Sequence, residues 1–147
     1  MKSILILFLL GFTFSYNRIG AANYALKYCN NYNPNYNKYS QQNIESVNFV
    51  SQCISIGGGQ DFKGCEGRDD KGMFKYAIDL EICLMKKRWK RTAIPKKGIP
   101  MLYVHVHSYA WIIIDDKVID NKITYCSHIP DRCEAKGPSK IGVFYSP

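Results

Sequence analysis

The chain has 147 residues, a net charge of +8 at pH 7, six cysteines and three histidines. A chain of this length folds as one domain around a single core, which excludes a multidomain protein. Its positive charge favours anionic partners such as cell-wall polymers, phospholipid headgroups or nucleic acid, without selecting one of them.

The first fifteen residues have the pattern of a secretory signal peptide. Lys2 precedes an almost unbroken apolar run at residues 4–14, and Thr13 and Ser15 are small residues at the spacing that signal peptidase recognises. We predict cleavage before Tyr16, so that residues 1–15 are removed and residues 16–147 form the mature domain. The run is about half of the ~20 residues that a membrane-spanning helix needs, so we predict a secreted, extracellular protein without a transmembrane segment.

The cysteine content agrees with an extracellular location. An even number of cysteines in a secreted chain predicts disulfides, here three, and the sequence leaves their pairing open. A bridge between Cys126 and Cys133 closes a short loop and is the first pairing that we expect. The remaining cysteines are Cys29, Cys53, Cys65 and Cys83.

Two helices are predicted in the first part of the chain. The first covers residues 17–29 and ends before a loop rich in Asn and Tyr. The second covers residues 45–56, with Asn43 or Ser46 as its N-cap, and ends at the glycines of residues 57–59. These glycines lack the lysine of a phosphate-binding loop, so we interpret them as a helix stop.

A third helix is predicted over residues 73–90. Its apolar residues recur at helical spacing and are expected to face the core: Phe74, Ile78, Ile82 and Met85. Its C-terminal end is strongly basic and continues into further lysines: Lys86, Lys87, Arg88, Lys90, Arg91, Lys96 and Lys97. Positive charge suits the C-terminal end of a helix, so a solvated end is the simpler interpretation, and a binding patch for an anionic polymer is the alternative.

Strands are predicted in the remainder of the chain. Residues 101–114 are apolar or alternating, residues 115–117 form a turn, and residues 118–125 and 141–145 read as two further strands. N-terminal helices followed by a C-terminal antiparallel sheet predict an α+β domain, stabilised by disulfides.

The three histidines are the candidates for metal binding or catalysis. His105 and His107 are two residues apart and would share one face of a strand, and His128 could join them as a third metal ligand. No acidic or cysteine ligand has a matching spacing, so we expect neither a metal nor another cofactor. The stronger hypothesis is that one histidine lies opposite a nucleophile at the start of a helix.

Several short strings follow one another in a distinctive order. Tyr-Asn-Arg at residues 16–18 and Asn-Pro-Asn-Tyr at residues 33–36 are followed by Asn-Phe-Val-Ser-Gln at residues 48–52. Gly-Ile-Pro at residues 98–100 and His-Ser-Tyr-Ala at residues 107–110 come later. Together they resemble the putative amidase domain family, and the resemblance implies a small papain-like fold related to NlpC-type and CHAP cell-wall amidases and peptidases.

The resemblance also implies a catalytic site. The family motif Asp-Cys-Thr-Asn-Phe-Val-Ser-Gln, with cysteine as its nucleophile, aligns with residues 45–52 and places Ser46 at the nucleophile position. His107 falls at the position of the catalytic histidine. His128, or else Asp120 or Asn121, would orient it.

Serine at this position changes the chemistry. A helix terminus and a histidine can bring a cysteine, whose reference pKa is ~8.5, to the thiolate form. A serine hydroxyl requires a general base during attack and a well-formed oxyanion hole, and otherwise Ser46 is simply a helix cap. Cys53 does not replace it, because it lies roughly 10 Å further along the helix and is expected to be in a disulfide.

Four functional hypotheses remain. The first is a secreted pseudoenzyme that binds a peptide, peptidoglycan or another amide-bearing ligand, with an anionic surface as a further partner. The second is an active amide hydrolase in which Ser46 attacks and His107 acts as the base. The third is a basic ribonuclease or toxin with His107, His128 and Lys122 around one phosphate, and the fourth is a purely structural secreted protein.

Overall fold

The structure is a computed structural model that describes residues 15–104, 109–140 and 142–147. Within these residues three helices precede six strands, which confirms the predicted α+β class with an antiparallel sheet. The helices are α1 (Arg18–Tyr28), α2 (Gln42–Gln52) with a π-helical extension (Cys53–Gly57), and α3 (Ala77–Lys86). The strands are β1 (Lys90–Thr92), β2 (Pro100–Tyr103), β3 (Tyr109–Ile113), β4 (Lys122–Ser127), β5 (Arg132–Pro138) and β6 (Val143–Ser146).

The strands form one antiparallel sheet in the order β1-β6-β2-β3-β4-β5. The helices cover one face, where the main core contains Phe49 and Ile112. A smaller apolar cluster covers the other face and contains Ile113 and Phe144. Ile112 and Ile113 belong to different cores because successive side chains of a strand point to opposite faces.

Helix α1 and the glycine run agree with the sequence prediction. Asn17 caps α1 by accepting a hydrogen bond from the backbone N–H of Gly20 at 2.9 Å. The helical segment that follows α2 ends at Gly57, as predicted. A Cβ on Gly57 would lie 2.7 Å from the carbonyl oxygen of Gly20 and 2.6 Å from the Cβ of Tyr24, so only glycine allows α1 to approach this closely.

Helix α2 begins earlier than predicted. Its first residue is Gln42, and the residue at its N-cap, Gln41, makes no side-chain capping bond. Asn43 and Ser46 both lie inside the helix, so the prediction that one of them caps it is wrong. Ser46 therefore needs an explanation other than helix capping.

Helix α3 turns a different face to the core from the one predicted. Its buried side carries mostly small and aliphatic residues: Ala77, Leu80, Glu81, Cys83 and Leu84. The predicted core residues Ile78, Ile82 and Met85 are instead 47%, 59% and 54% exposed. Both sides of the helix are apolar, so spacing alone permits either orientation, and the disulfide between Cys65 and Cys83 holds the other side inward.

Both ends of the predicted third helix adopt other conformations. Phe74 is buried as predicted, but it lies before α3, in an isolated bridge with Arg68. At the other end Arg88 has a φ of 69°, which stops the helix, and Lys90 begins β1. The basic segment therefore continues into an edge strand, where charged side chains oppose pairing with another chain.

The strand predictions are confirmed in part. The run at residues 101–114 contains β2 and β3, and the last predicted strand, residues 141–145, corresponds to β6. The strand predicted at residues 118–125 is displaced: β4 starts at Lys122, because Asp120 and Asn121 form a turn with φ of 51° and 57°. Strands β1 and β5 are not predicted by the sequence pattern, because charged residues dominate their exposed positions.

Two disulfides stabilise the domain, and they link Cys29 with Cys133 and Cys65 with Cys83. The prediction of three disulfides, with Cys126 bonded to Cys133, is wrong. Cys53 and Cys126 are free thiols in the main core. The bridge from Cys29 closes a separation of 104 residues, which no local sequence signal could have indicated.

The free cysteines give a first testable prediction. Both thiols are fully buried, and burial raises the pKa of each above its usual range, so neither should react with a small thiol reagent in the folded protein. After unfolding without a reductant we expect two reactive thiols per chain. A Cys126→Ser variant should show one. Complete absence of reactive thiols in the unfolded protein would instead mean that Cys53 and Cys126 form a third disulfide.

No helix in the three described ranges is long and apolar enough to cross a membrane. The predicted signal peptide, residues 1–15, lies almost entirely outside these ranges, so its cleavage stays a prediction. Disulfides persist in oxidising compartments, which makes the two bridges consistent with an extracellular protein.

Candidate functional site

The candidate site lies in a gap between β3 and β4. These strands pair Ile112 with Cys126 and Ile113 with Tyr125, close to the end of β3. A bulge follows in the β4–β5 ladder, between Tyr125 and Ser127. The strands therefore diverge toward the start of β3 and leave an opening beside α2.

The opening holds a cavity of about 240 Å³. Its lining combines amide, hydroxyl, aromatic and cationic side chains: Gln42, Ser46, Tyr109, Trp111, Tyr125, Ser127, His128, Ile129, Pro130 and Arg132. Two of the predicted catalytic residues, Ser46 and His128, are thus brought to one cavity from distant parts of the chain. The ring of Trp111 stacks on that of Tyr125 with 3.9 Å between centroids, which gives the cavity a rigid wall.

Ser46 projects from α2 toward the start of β3. It is 2% exposed, and its Oγ accepts a hydrogen bond from the backbone N–H of Ala110 at 3.3 Å. Just after β3, the N–H of Ile114 donates to the carbonyl oxygen of Thr124 in the paired part of the ladder. Alternate residues of an antiparallel strand direct their N–H groups to the same neighbour. The N–H of Ala110 would therefore bond to β4 if the ladder continued, and Ser46 satisfies it instead.

Glu45, the residue before Ser46, is paired with His128. Glu45 is fully buried, and its Oε1 lies 2.8 Å from Nδ1 of His128. Its Oε2 accepts a hydrogen bond from the backbone N–H of Tyr39 at 2.7 Å. Nε2 of His128 lies 2.8 Å from the carbonyl oxygen of Tyr28, which can only accept, so Nε2 carries a proton. The sequence signals for Glu45 are its position beside Ser46 and the acidic residue that the family motif has at the same position.

The orientation of His128 fits a supporting role better than catalysis at Ser46. In a Ser–His–carboxylate triad the imidazole contacts the carboxylate with one nitrogen and faces the nucleophile with the other. Here the second nitrogen donates to the carbonyl oxygen of Tyr28 instead. The ring is enclosed between Phe49, at 3.8 Å between centroids, and Tyr32, at 4.1 Å. These contacts fasten the turn between β4 and β5 to α1 and α2.

The remaining candidates for the triad are placed elsewhere or are not described. His105 and His107 lie outside the described residues, so their predicted roles stay predictions. Asp120 and Asn121 form the turn before β4, whereas His128 follows the end of that strand. The intervening strand is about 20 Å long at ~3.3 Å per residue, so both turn residues lie far from His128. That one of these three residues orients His107 stays a prediction.

The same distance bears on the ribonuclease hypothesis. Lys122 is the first residue of β4, and His128 comes directly after its last residue. A separation of about 20 Å prevents the two side chains from contacting one phosphate group. The arrangement expected for a basic ribonuclease is therefore not formed by Lys122 and His128.

Cys53 is not available as a replacement nucleophile. Its side chain is fully buried in the main core. Burial raises the pKa of its thiol well above the usual range, and the neighbouring Cys126 thiol raises it further. The expected disulfide at Cys53 is absent, but burial leads to the same conclusion because a thiolate does not form there.

A family model described as a putative amidase domain matches residues 15–125, well over half of the chain, including Ser46. The chain belongs to the putative amidase domain family. No curated protein and no solved structure gives a significant match.

The motif that resembles the putative amidase domain family has a structural role in this protein. Asn48 donates a hydrogen bond to Asp69 at 3.1 Å, and Gln52 donates to Oδ1 of Asn48 at 2.7 Å. The hydroxyl of Tyr24 donates a hydrogen bond to the side chain of Gln52 at 2.9 Å. The hydroxyl oxygen of Ser51 accepts a hydrogen bond from the backbone N–H of Phe74 at 3.1 Å. These bonds join α2 to α1 and to residues 61–74. The motif thus holds the helix that carries Ser46, whether or not the site is catalytic.

Proposed function

We propose that this member of the putative amidase domain family is a secreted, papain-like pseudoenzyme that binds an amide-bearing ligand, such as a peptide or a peptidoglycan fragment. The ligand would occupy the cavity beside Ser46. The observation that carries the proposal is the serine at the nucleophile position, whose buried Oγ accepts the N–H of Ala110. The apolar leader and the two disulfides support the extracellular location.

The surroundings of Ser46 support the loss of hydrolysis. A serine hydroxyl must transfer its proton to a general base as it attacks. His128 is the single histidine among the described residues, and its two ring nitrogens lie 2.8 Å from Glu45 and from the carbonyl oxygen of Tyr28. Taking a proton from Ser46 would require His128 to give up one of these bonds. Hydrolysis would therefore depend on a base other than His128, for which the family resemblance indicates His107.

The cavity supports binding of a short amide-containing segment. Its volume of about 240 Å³ is slightly below the ~300 Å³ at which pockets for drug-sized ligands begin. The side-chain amide of Gln42 and the hydroxyl of Ser127 can bond the N–H and C=O groups of a peptide. Arg132 adds a cation that suits a peptide carboxylate.

Binding can be tested at the exposed rim of the cavity. We expect Gln42→Ala to weaken the binding of a muramyl peptide by about three- to tenfold, the effect of one lost neutral hydrogen bond. The fluorescence of Trp111, which lines the cavity, would report binding during a titration. Asn43→Ala is the matched control, because Asn43 is an exposed amide in the same helical turn and does not line the cavity.

Two outcomes would contradict the proposal. One is equal weakening in the Gln42→Ala and Asn43→Ala variants, which would place the ligand elsewhere. The other is the absence of any saturable fluorescence change with muramyl peptides and with simple N-acetylated dipeptides. Hydrolysis of these compounds by the unchanged protein would instead support the hypothesis of a serine-dependent hydrolase.

A further inference from the structure

An exposed apolar row lies on α3. Ile78, Ile82 and Met85, called here the apolar stripe, are 47%, 59% and 54% exposed. Their spacing of four and three residues places them along one line of the helix. Tyr76, just before α3, is 47% exposed as well. A surface helix normally turns its apolar stripe to the core, but α3 already buries its opposite side, so the fold does not explain this stripe.

A group of cations adjoins one end of the stripe. Lys86, Lys87, Arg88 and Lys90, called here the basic end, begin directly after Met85. The ammonium group of Lys86 donates to the carbonyl oxygen of Gly64 at 2.7 Å. That of Lys87 lies 3.8 Å from the carboxylate of Asp61. These contacts keep both ammonium groups at the surface, beside the loop that the second disulfide ties to α3.

Fewer acidic than basic side chains lie near the apolar stripe. Glu66 and Asp79 border a shallow depression beside Ile82. Asp61 is the partner of Lys87 and so offsets one cation of the basic end. The surface is therefore cationic toward the C-terminal end of α3 and close to neutral around the middle of the helix.

We infer that this surface docks the protein on an anionic lipid bilayer. The apolar stripe would enter the boundary between headgroups and acyl chains, and the basic end would contact anionic headgroups. Apolar side chains next to Lys and Arg are the combination that peripheral proteins use at such surfaces. This inference is independent of the cavity beside Ser46 and of any activity there.

A second copy of the chain fits the same surface less well. In a twofold pairing across α3, each basic end would approach either the other basic end, so that like charges meet, or the N-terminal end of the other α3, where Lys75 and Asp79 offset each other. A stripe of three side chains is also small beside the ~800 Å² per partner of a standard interface. A bilayer with anionic headgroups presents the opposite charge and does not require a large complementary surface.

The test is co-sedimentation with vesicles made of equal parts phosphatidylglycerol and phosphatidylcholine. We expect Ile82→Ser/Met85→Ser to lower the partition coefficient by at least ~10-fold. Ile94→Ser/Val118→Ser is the matched control, because those residues are 63% and 45% exposed and lie outside α3. The unchanged protein and all variants have the same N-terminal sequence, so any contribution of that sequence to vesicle binding is equal throughout the comparison.

The charge contribution needs its own pair of variants. Arg88→Gln/Lys90→Gln should weaken binding to the anionic vesicles and flatten its dependence on salt, whereas Lys117→Gln/Lys122→Gln, two exposed lysines before and at the start of β4, should have a smaller effect. Vesicles of phosphatidylcholine alone should bind the unchanged protein weakly. The inference is wrong if the stripe variant binds as tightly as its control, or if lipid charge has no effect. A dimer in sedimentation velocity that only the stripe variant loses would identify a second copy as the occupant instead.

Discussion

The Ser46→Cys variant is expected to hydrolyse amides, while the unchanged protein does not. A cysteine at this position replaces the oxygen of Ser46 with the sulfur that the putative amidase domain family uses as its nucleophile. The N–H of Ala110, which now reaches Oγ at 3.3 Å, would donate to the sulfur and favour the thiolate. Release of amine or ammonia from peptidoglycan fragments and from glutamine- or alanine-containing amides should rise by at least ~10²-fold over the unchanged protein.

Two further variants show whether such activity arises at the proposed site. Ser46→Cys/His107→Ala should lose the gained activity, because the resemblance assigns His107 as the catalytic histidine. Ser46→Ala should be as inactive as the unchanged protein. If the unchanged protein is active and His107→Ala abolishes that activity, the protein is a serine-dependent hydrolase and the proposal of a pseudoenzyme is wrong.

The Glu45→Ala variant is expected to lower the free energy of unfolding by about 3–5 kcal/mol. The carboxylate of Glu45 is fully buried and bonds both Nδ1 of His128 and the N–H of Tyr39. Its removal leaves the buried imidazole without a partner on one side, and a buried polar group without a partner is costly. Urea unfolding followed by far-ultraviolet circular dichroism measures the change.

Glu45→Gln is the matched control for this prediction. The amide oxygen can accept from the N–H of Tyr39 while the amide nitrogen donates to Nδ1 of a neutral His128. The bond from Nε2 to Tyr28 is then unaffected. We expect this variant to lose only about 1 kcal/mol. A loss as large as that of Glu45→Ala would mean that the negative charge matters more than the hydrogen bonds.

A double-mutant cycle distinguishes the pair from its surroundings. The losses in Glu45→Ala and His128→Ala should be far from additive in the double variant, because each single change leaves the other buried group unpaired. The ring of His128 also stacks on Phe49, so His128→Ala should be the more damaging of the two single changes. Additive losses would show that the two side chains stabilise the fold independently.

The sequence by itself determined helix α1, the end of the second helix and the likeness to a family. Helix α1, the end of the second helix at Gly57 and the position of Ser46 in the motif follow from patterns within a few residues. Such patterns are readable because helix formation and helix stops depend on near neighbours in the chain. The α+β class follows in the same way from the order of helices and strands.

Tertiary structure decided which of two apolar sides of α3 is buried. Both sides have helical spacing, so the pattern is degenerate, and the choice comes from contacts with the disulfide loop and the sheet. Tertiary structure also decided the pairing of Cys29 with Cys133, because this disulfide joins residues 104 positions apart. Without those contacts the sequence predicts the wrong face and the wrong bridge.

The candidate site was also predicted from the sequence only in part. The sequence places Ser46 on a helix, but it does not show that β3 and β4 diverge there or that Oγ bonds the N–H of Ala110. It also gives no indication that Glu45 holds His128, a contact between residues 83 positions apart. Hydrogen bonds between residues so far apart in sequence depend on how the whole chain folds, so only the tertiary structure could assign them.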